Sequence, residues 1–225
     1  MAAKSTLNAR NLEALGAPRL AELLLILTQG NAAAKRVLRL ALAEQGGPNE
    51  IAKEVRKRLA TVARSGSFLD WRQRDALLKD LDQQRQAIVG PIAEHDPALA
   101  VDLLWTLLEL VEPVLERCDD SDGAVMPLFH QSTADLGAVA ARGKANPEPL
   151  ADQVYGALID NGYGQFDHLI DHLQEALGPV GLGHLRQRLE VLRSRPGLNE
   201  HRRSTVRLAM ARPIWPNTAT TNPLP

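Results

Sequence analysis

The sequence predicts an all-α protein, a stack of helical hairpins of the HEAT or TPR α-solenoid type, and three observations support this. Prolines open successive amphipathic stretches at Pro48, Pro97 and Pro147, and proline suits the first helical position because its missing N–H would be unpaired there. These prolines recur roughly every 50 residues, about the size of one helical hairpin in such arrays. Aromatic residues make up only 4% of the chain, which favours aliphatic helix packing over layered β-sheets.

The first 90 residues are expected to form five helices separated by glycine or serine breaks. An apolar stripe over residues 20–27 ends at Gly30, and the next helix is stopped by Gly46 and Gly47, which favour a left-handed C-cap. Pro48 opens the next helix, and a Ser-Gly-Ser break at 65–67 separates it from a longer one. The predicted helices cover residues 11–15, 20–27, 31–45, 48–64 and 70–89.

The remaining helices surround one that is apolar on almost every side, over residues 97–117. We place this helix at the centre of the stack and expect Pro113 to bend its last turn. After a polar break at 119–123, a weaker helix continues to about residue 141. Later helices are predicted near residues 148–160, 166–177, 180–194 and 204–210.

The end of the chain differs in composition from the rest. We divide the chain into a helical-repeat domain at 1–195, a basic helical extension at 196–212 and a tail at 213–225. The tail holds four prolines and no charged side chain, so it is expected to be disordered, or to be foreign sequence where a longer chain is interrupted. A helix that lacks its next repeat is expected to expose apolar surface and favour self-association.

The composition of the chain argues against several classes of protein. The net charge of −1 gives no overall attraction to nucleic acid or to anionic membranes. Cys118 is the only cysteine, so no internal disulfide forms. The first ten residues lack an apolar signal-peptide core, and the most apolar runs, near 20–27 and 103–111, are short and interrupted by polar residues. We expect a soluble cytoplasmic protein with no membrane partner and no cofactor.

The charges are nevertheless segregated along the chain. Residues 53–74 and 186–212 are strongly basic, and residues 94–122 are strongly acidic. One interpretation is that consecutive helices of opposite sign attract one another across the stack, which we favour because no aromatic residues interleave the basic ones. The alternative is that the basic helix 48–64 and the Arg-rich segment 186–212 bind nucleic acid. The residues expected to contact phosphate are then Lys53, Arg56, Lys57 and Arg64.

Two segments superficially match metal sites. His168 and His172 lie four residues apart on a predicted helix and would face one metal ion, but no third ligand accompanies them, so surface histidines are the favoured interpretation. Residues 118–123 resemble a calcium loop, but Cys118 and Phe129 occupy the positions of its two anchoring carboxylates. Capping of the next helix by Ser121 or Asp122 explains the segment more simply. We therefore predict no metal site.

Candidate partner-binding residues lie in two loops. The loop 160–166 combines two glycines with Tyr163 and Phe166, which either plug the gap between repeats or display an anchor for a partner, and we favour the plug. The acidic loop contributes Asp119, Asp120 and Asp122, which would contact a basic partner.

Residues 7–12 with 20–24, residues 116–123 and residues 160–167 together carry a resemblance. The last of these reads Asp-Asn-Gly-Tyr-Gly-Gln-Phe-Asp. The chain resembles an uncharacterised all-helical domain family of proteobacteria over about residues 5–195. This resemblance implies the fold but no activity and no catalytic residue. It also implies a helix beyond the point where this chain becomes proline-rich.

The chain has no phosphate-binding glycine loop, Ser-His-Asp order or His-Glu-x-x-His motif, so an enzyme is not expected. The predicted function is a protein-interaction module or scaffold that binds a protein partner along one face of the stack. Nucleic-acid binding is the alternative.

Overall fold

The computed structural model describes residues 6–197, 200–212, 214 and 215, and it confirms the all-α prediction. The described part contains no β-strand; one isolated bridge joins Leu69 to Cys118. The helices are α1 (Ala9–Glu13), α2 (Ala17–Leu27), α3 (Ala32–Glu44), α4 (Pro48–Ala63), α5 (Trp71–Ala87), α6 (Ala93–His95), α7 (Pro97–Leu108), α8 (Val111–Leu115), α9 (Met126–Arg142), α10 (Pro147–Ile159), α11 (Leu169–Arg193) and α12 (Glu200–Met210), with a π-helical turn (Ile88–Ile92) between α5 and α6.

The helix starts follow local chemistry that the sequence shows. Asn31 caps α3 by accepting from the Ala34 N–H at 3.0 Å. Asp70 and Gln73 form a reciprocal capping box at the start of α5. Gly47, at a φ of 86°, turns the chain so that Pro48 opens α4, as predicted.

The helix predicted over 97–117 is two helices, and this corrects the expected position of the bend. The chain leaves the helix at Glu109 and Leu110, and α8 begins at Val111. Pro113 lies inside α8, where it cannot donate to the Glu109 carbonyl and its ring crowds that carbonyl. The break therefore precedes the proline by almost one turn.

A second break lies in α11, where Gly178 has a φ of 54° and precedes Pro179. Only glycine adopts this backbone conformation without strain, so the axis changes direction there. The position agrees with the predicted boundary between the helices at 166–177 and 180–194.

The core is aliphatic and centres on α7, α9 and α11. Leu104, Phe129 and Leu185 are fully buried there. The backbones of α9 and α11 approach closely at Gly137, because a Cβ at this position would lie 2.0 Å from the His172 carbonyl oxygen. Along the chain, α3 packs on α4, α4 on α7, α7 on α9, and α11 on α9, α10 and α12.

The first and last described segments are packed differently. No residue of α1 or α2 is buried. At the end of the described residues, Ile214 and Trp215 are partly buried against the core, and Trp215 Nε1 donates to the Ala209 carbonyl at 3.2 Å. These two residues of the predicted tail are therefore packed, contrary to the expectation of disorder. The rest of the tail prediction lies outside the described residues.

Candidate functional site

The loop between α10 and α11 separates its two aromatic residues. Phe166 is buried and its ring lies 6.5 Å from that of Trp105, so it fills the gap between helices, as favoured above. Tyr163 is 48% exposed and lies on the surface. Asn161 holds the loop by accepting from the Phe166 N–H at 2.9 Å and donating to Asp167 at 2.8 Å.

The acidic loop is bound within the fold by Arg74, a buried side chain of α5. Arg74 donates to both carboxylate oxygens of Asp122, at 2.7 and 2.8 Å, and to the Asp119 carbonyl at 2.8 Å. This bidentate pairing lowers the pKa of Asp122 and raises the pKa of Arg74. Asp120 accepts from the Val125 N–H at 2.9 Å. The pair of Arg74 and Asp122 therefore joins the basic segment 53–74 to the acidic segment 94–122.

The interpretation of Ser121 or Asp122 as the cap of α9 is wrong. The residue that precedes α9 is Val125, and no side chain caps this helix. Asp122 instead pairs with Arg74, which lies 48 positions earlier in the chain. A local pattern cannot show a partner at that distance.

The residues of the nucleic-acid alternative lie on the exposed side of α4, with Arg64 as its C-cap. Lys53, Arg56, Lys57 and Arg64 are all exposed, and Lys53 pairs with Glu50 at 2.5 Å. In the Arg-rich segment, Arg188 pairs with Asp152 and lies 4.1 Å from the centre of the Tyr155 ring. The guanidinium group of that arginine is therefore used within the fold.

The histidine pair lies beside a third histidine, His130. The ring centres of His168 and His172 are 6.2 Å apart, and those of His130 and His168 are 6.3 Å apart. Thr133 Oγ1 donates to the His130 carbonyl and therefore accepts from His172 Nδ1–H at 3.0 Å. Burial lowers the pKa of His172, and the neighbouring histidines add to this effect. Among the described residues, no three His, Cys, Asp or Glu side chains converge to hold a metal ion.

A cationic cleft between α3, α4 and α5 brings together basic residues that lie about 20 positions apart in the sequence. Its volume is about 290 Å³, and it is lined by basic side chains of α3 and α4 above the buried Gln84 of α5. The spacing of basic residues on α3 was a visible signal, but their approach to α4 depends on tertiary packing. The basic residues of this cationic cleft are Lys35, Arg36, Arg39, Lys57 and Arg58.

A second cleft, of about 400 Å³, lies between α7, α8 and α10. Trp105 and Phe166 form its aromatic wall, and Glu109, Glu112 and Asp160 make it acidic. Trp105 Nε1 is buried and has no hydrogen-bond partner in the described structure. The sequence prediction for this loop names Phe166 but not Trp105, because Trp105 lies on α7, about 60 positions earlier in the chain.

The apolar last turn of α2 is the largest departure from sequence expectation. Leu24, Leu25, Ile26 and Leu27 are consecutive and all exposed, although the pattern predicts a helix that covers its apolar stripe. Helix α2 has α1 as its main neighbour. It therefore presents a continuous apolar surface to solvent.

Among the described helices, none is both long and apolar enough to cross a lipid bilayer. Comparisons of this chain with curated proteins and with solved structures found no match. A family model described as a family of unknown function, DUF6880, matches residues 2–220. This span covers nearly all of the 225 residues and includes the three segments that carry the resemblance stated above. The chain therefore belongs to the DUF6880 family.

Proposed function

We propose that this protein is an interaction module rather than an enzyme, and that its docking surface is the exposed apolar last turn of α2. The observation that carries the proposal is that α2 buries none of its residues, while Leu25, Ile26 and Leu27 are 68%, 58% and 71% exposed. Contact between water and a continuous apolar surface is unfavourable, so such surfaces mark interaction sites. Covering it recovers about 25 cal/mol for each Å² removed from water.

The charges of α2 indicate what kind of partner surface fits. Its two charged side chains, Arg19 and Glu22, bind each other at 2.8 Å. The helix therefore offers a partner no unpaired charge, and a charged partner surface would lose hydration without compensation. We propose that the occupant is the apolar face of an amphipathic helix from another protein.

The order of packing supports a scaffold role for the rest of the chain. Each major helix from α3 to α12 contacts a neighbour close to it in sequence. We propose that this order is the repeat stack of helical hairpins predicted above, with α2 at its N-terminal end. A cytoplasmic location and a bacterial origin are also part of this proposal, supported by the single cysteine and by the resemblance.

Site-specific photo-crosslinking tests the proposal. A photoreactive amino acid replaces Leu25 in the full chain, in the native host, and the crosslinked protein is identified and purified. The control carries the same group at Leu208 of α12, which is exposed to a similar extent, 64% against 68%. We expect a specific crosslink from position 25 to another protein. That protein should bind the purified chain, bind the Leu208→Glu variant and fail to bind the Leu25→Glu variant.

Two results would overturn the proposal. Crosslinks from position 25 to core residues of the same molecule would show that α2 packs on its own fold. Crosslinks to a second copy of the chain would replace the heterologous partner with a homodimer.

The second candidate function is nucleic-acid binding by α4, favoured by the shared exposure of Lys53, Arg56, Lys57 and Arg64. Its test is a titration with a labelled oligonucleotide at several salt concentrations. Binding that weakens steeply with salt and in the Arg56→Ala variant supports it, because phosphate contacts release counterions. The absence of binding at low salt removes it.

A further inference from the structure

The cationic cleft between α3, α4 and α5 has an internal organisation that the nucleic-acid alternative does not require. Arg36 of α3 and Arg58 of α4 both bind Asp80 of α5, with Nε to carboxylate distances of 3.0 and 2.5 Å. Asp80 is 3% exposed, so it is a buried anchor shared by two guanidinium groups. Each guanidinium uses Nε for this contact, and its terminal nitrogens make no hydrogen bond within the described structure.

The charges in the cleft are unbalanced. The five basic side chains around it face two carboxylates, those of Glu54 and Asp80. Lys35, Arg39 and Lys57 are exposed at the rim, where they are available to a ligand. Fixed guanidinium groups with unused terminal nitrogens suit phosphate, because they donate two parallel hydrogen bonds to its oxygens. A divalent phosphate monoester matches this charge better than a single carboxylate does.

Gln84 supplies a second and independent observation. Its side chain lines the cleft and is 1% exposed, yet its Oε1 has no hydrogen-bond partner within the described structure. A buried acceptor without a donor is unfavourable, and in native structures such atoms call for a specific explanation. A rotation of the amide would turn this oxygen towards the cleft, where a ligand hydroxyl would donate to it.

We propose that the cationic cleft binds a small phosphate ester that also carries a free hydroxyl group. The phosphate lies against Arg36, Arg58 and the rim lysines, and the hydroxyl donates to Gln84 Oε1. The volume of about 290 Å³ fits a molecule of the size of a sugar phosphate.

Calorimetric titration of the full chain with three probes tests this assignment. The probes are ribose 5-phosphate, methyl phosphate, which has no hydroxyl on carbon, and ribose. We expect ribose 5-phosphate to bind about tenfold or more tightly than methyl phosphate, and ribose alone not to bind, since both recognition elements are needed. Affinity for both phosphates should fall as salt is added, because the phosphate contacts are charged.

Variants separate the two recognition elements. Gln84→Leu removes the acceptor at similar volume, so it should reduce ribose 5-phosphate affinity to that of methyl phosphate while leaving methyl phosphate binding unchanged. Lys35→Ala and Lys57→Ala should each weaken both phosphates by about tenfold. Both lysines are exposed, so their loss leaves the fold intact. The matched controls are Lys53→Ala and Arg56→Ala, which lie on α4 outside the cleft and should leave the affinity for both phosphates unchanged.

Three results would overturn the proposal. One is the absence of binding with every probe. Another is equal affinity for ribose 5-phosphate and methyl phosphate, which would remove the role of Gln84. The third is an oligonucleotide that binds more tightly than ribose 5-phosphate and is weakened equally by Lys53→Ala and Lys35→Ala, which would assign this surface to nucleic acid.

Discussion

Helices α2 and α7 are both strongly apolar in sequence, yet the fold buries α7 and leaves α2 exposed. In α7, Leu103, Leu104, Leu107 and Leu108 are all buried, whereas α2 buries no residue. The difference lies in their neighbours, because α7 packs against α4, α9 and the π-helical turn, and α2 packs mainly against α1. An apolar stripe therefore predicts that a helix needs to be covered, but not which surface covers it.

The largest effect that tests this comparison is expected at the centre of α7. Leu104 is fully buried, so Leu104→Ala leaves a cavity and should lower the free energy of unfolding by about 2–5 kcal/mol. Urea denaturation followed by circular dichroism measures the change, with the m-value as a check on two-state behaviour. A loss below about 1 kcal/mol would mean that α7 is not central.

A smaller effect is expected where α9 meets α11. Gly137→Ala places a Cβ 2.0 Å from the His172 carbonyl oxygen, so the two helices must separate and stability should fall by about 1–3 kcal/mol. The matched control is Gly156→Ala in α10, where no neighbouring atom lies within 4 Å of the added Cβ. That substitution should stabilise the protein by about 0.4–1 kcal/mol, because alanine restricts the unfolded chain. Thermal unfolding measures the melting temperature of each variant. Equal changes in the two variants would contradict the close packing of α9 against α11.

The side chain of His172, at this same junction of α9 and α11, gives the stability of the protein a pH dependence. Burial lowers the pKa of His172 below its ordinary value of 6.5, so near that pH the unfolded chain binds more protons than the folded one. Stability contributed by neutral His172 should therefore be complete above pH 6.5 and decline as the pH falls towards the folded-state pKa. His130 and His168 add to this effect, and Asp171 opposes it.

Replacing His172 with Asn measures this contribution. Asparagine keeps an N–H donor for Thr133 but does not titrate. Unfolding free energies at several pH values between 5 and 7.5 should show a shallower decline for His172→Asn than for the wild type. Parallel curves would mean that His172 titrates equally in the folded and unfolded chains.

The helices and most of their ends were predictable because their causes are local. Pro48, Pro97 and Pro147 each open a helix, and Gly178 interrupts α11, since proline and glycine act on their own backbone. The predicted position of the bend was wrong because Pro113 acts almost one turn upstream, on the Glu109 carbonyl.

The candidate sites were less predictable because they depend on distant pairs. Arg74 binds Asp122 across 48 positions, and Arg36 and Arg58 meet through Asp80. Periodicity identifies which residues share a face of one helix, but it does not show which face lies opposite. The cationic cleft and the acidic loop therefore become interpretable only in the folded chain.

The smallest effect is expected in α2, and it decides whether the comparison is correct. Leu25 has the same side chain as Leu104 but is 68% exposed, so Leu25→Ala removes few packing contacts. Exposed substitutions of this kind change stability by about 0.5 kcal/mol or less, and alanine also favours the helix slightly. Urea denaturation of the isolated chain should therefore give nearly equal midpoints for Leu25→Ala and wild type. A loss of about 2 kcal/mol would show that α2 packs on its own core and leaves no surface for a partner.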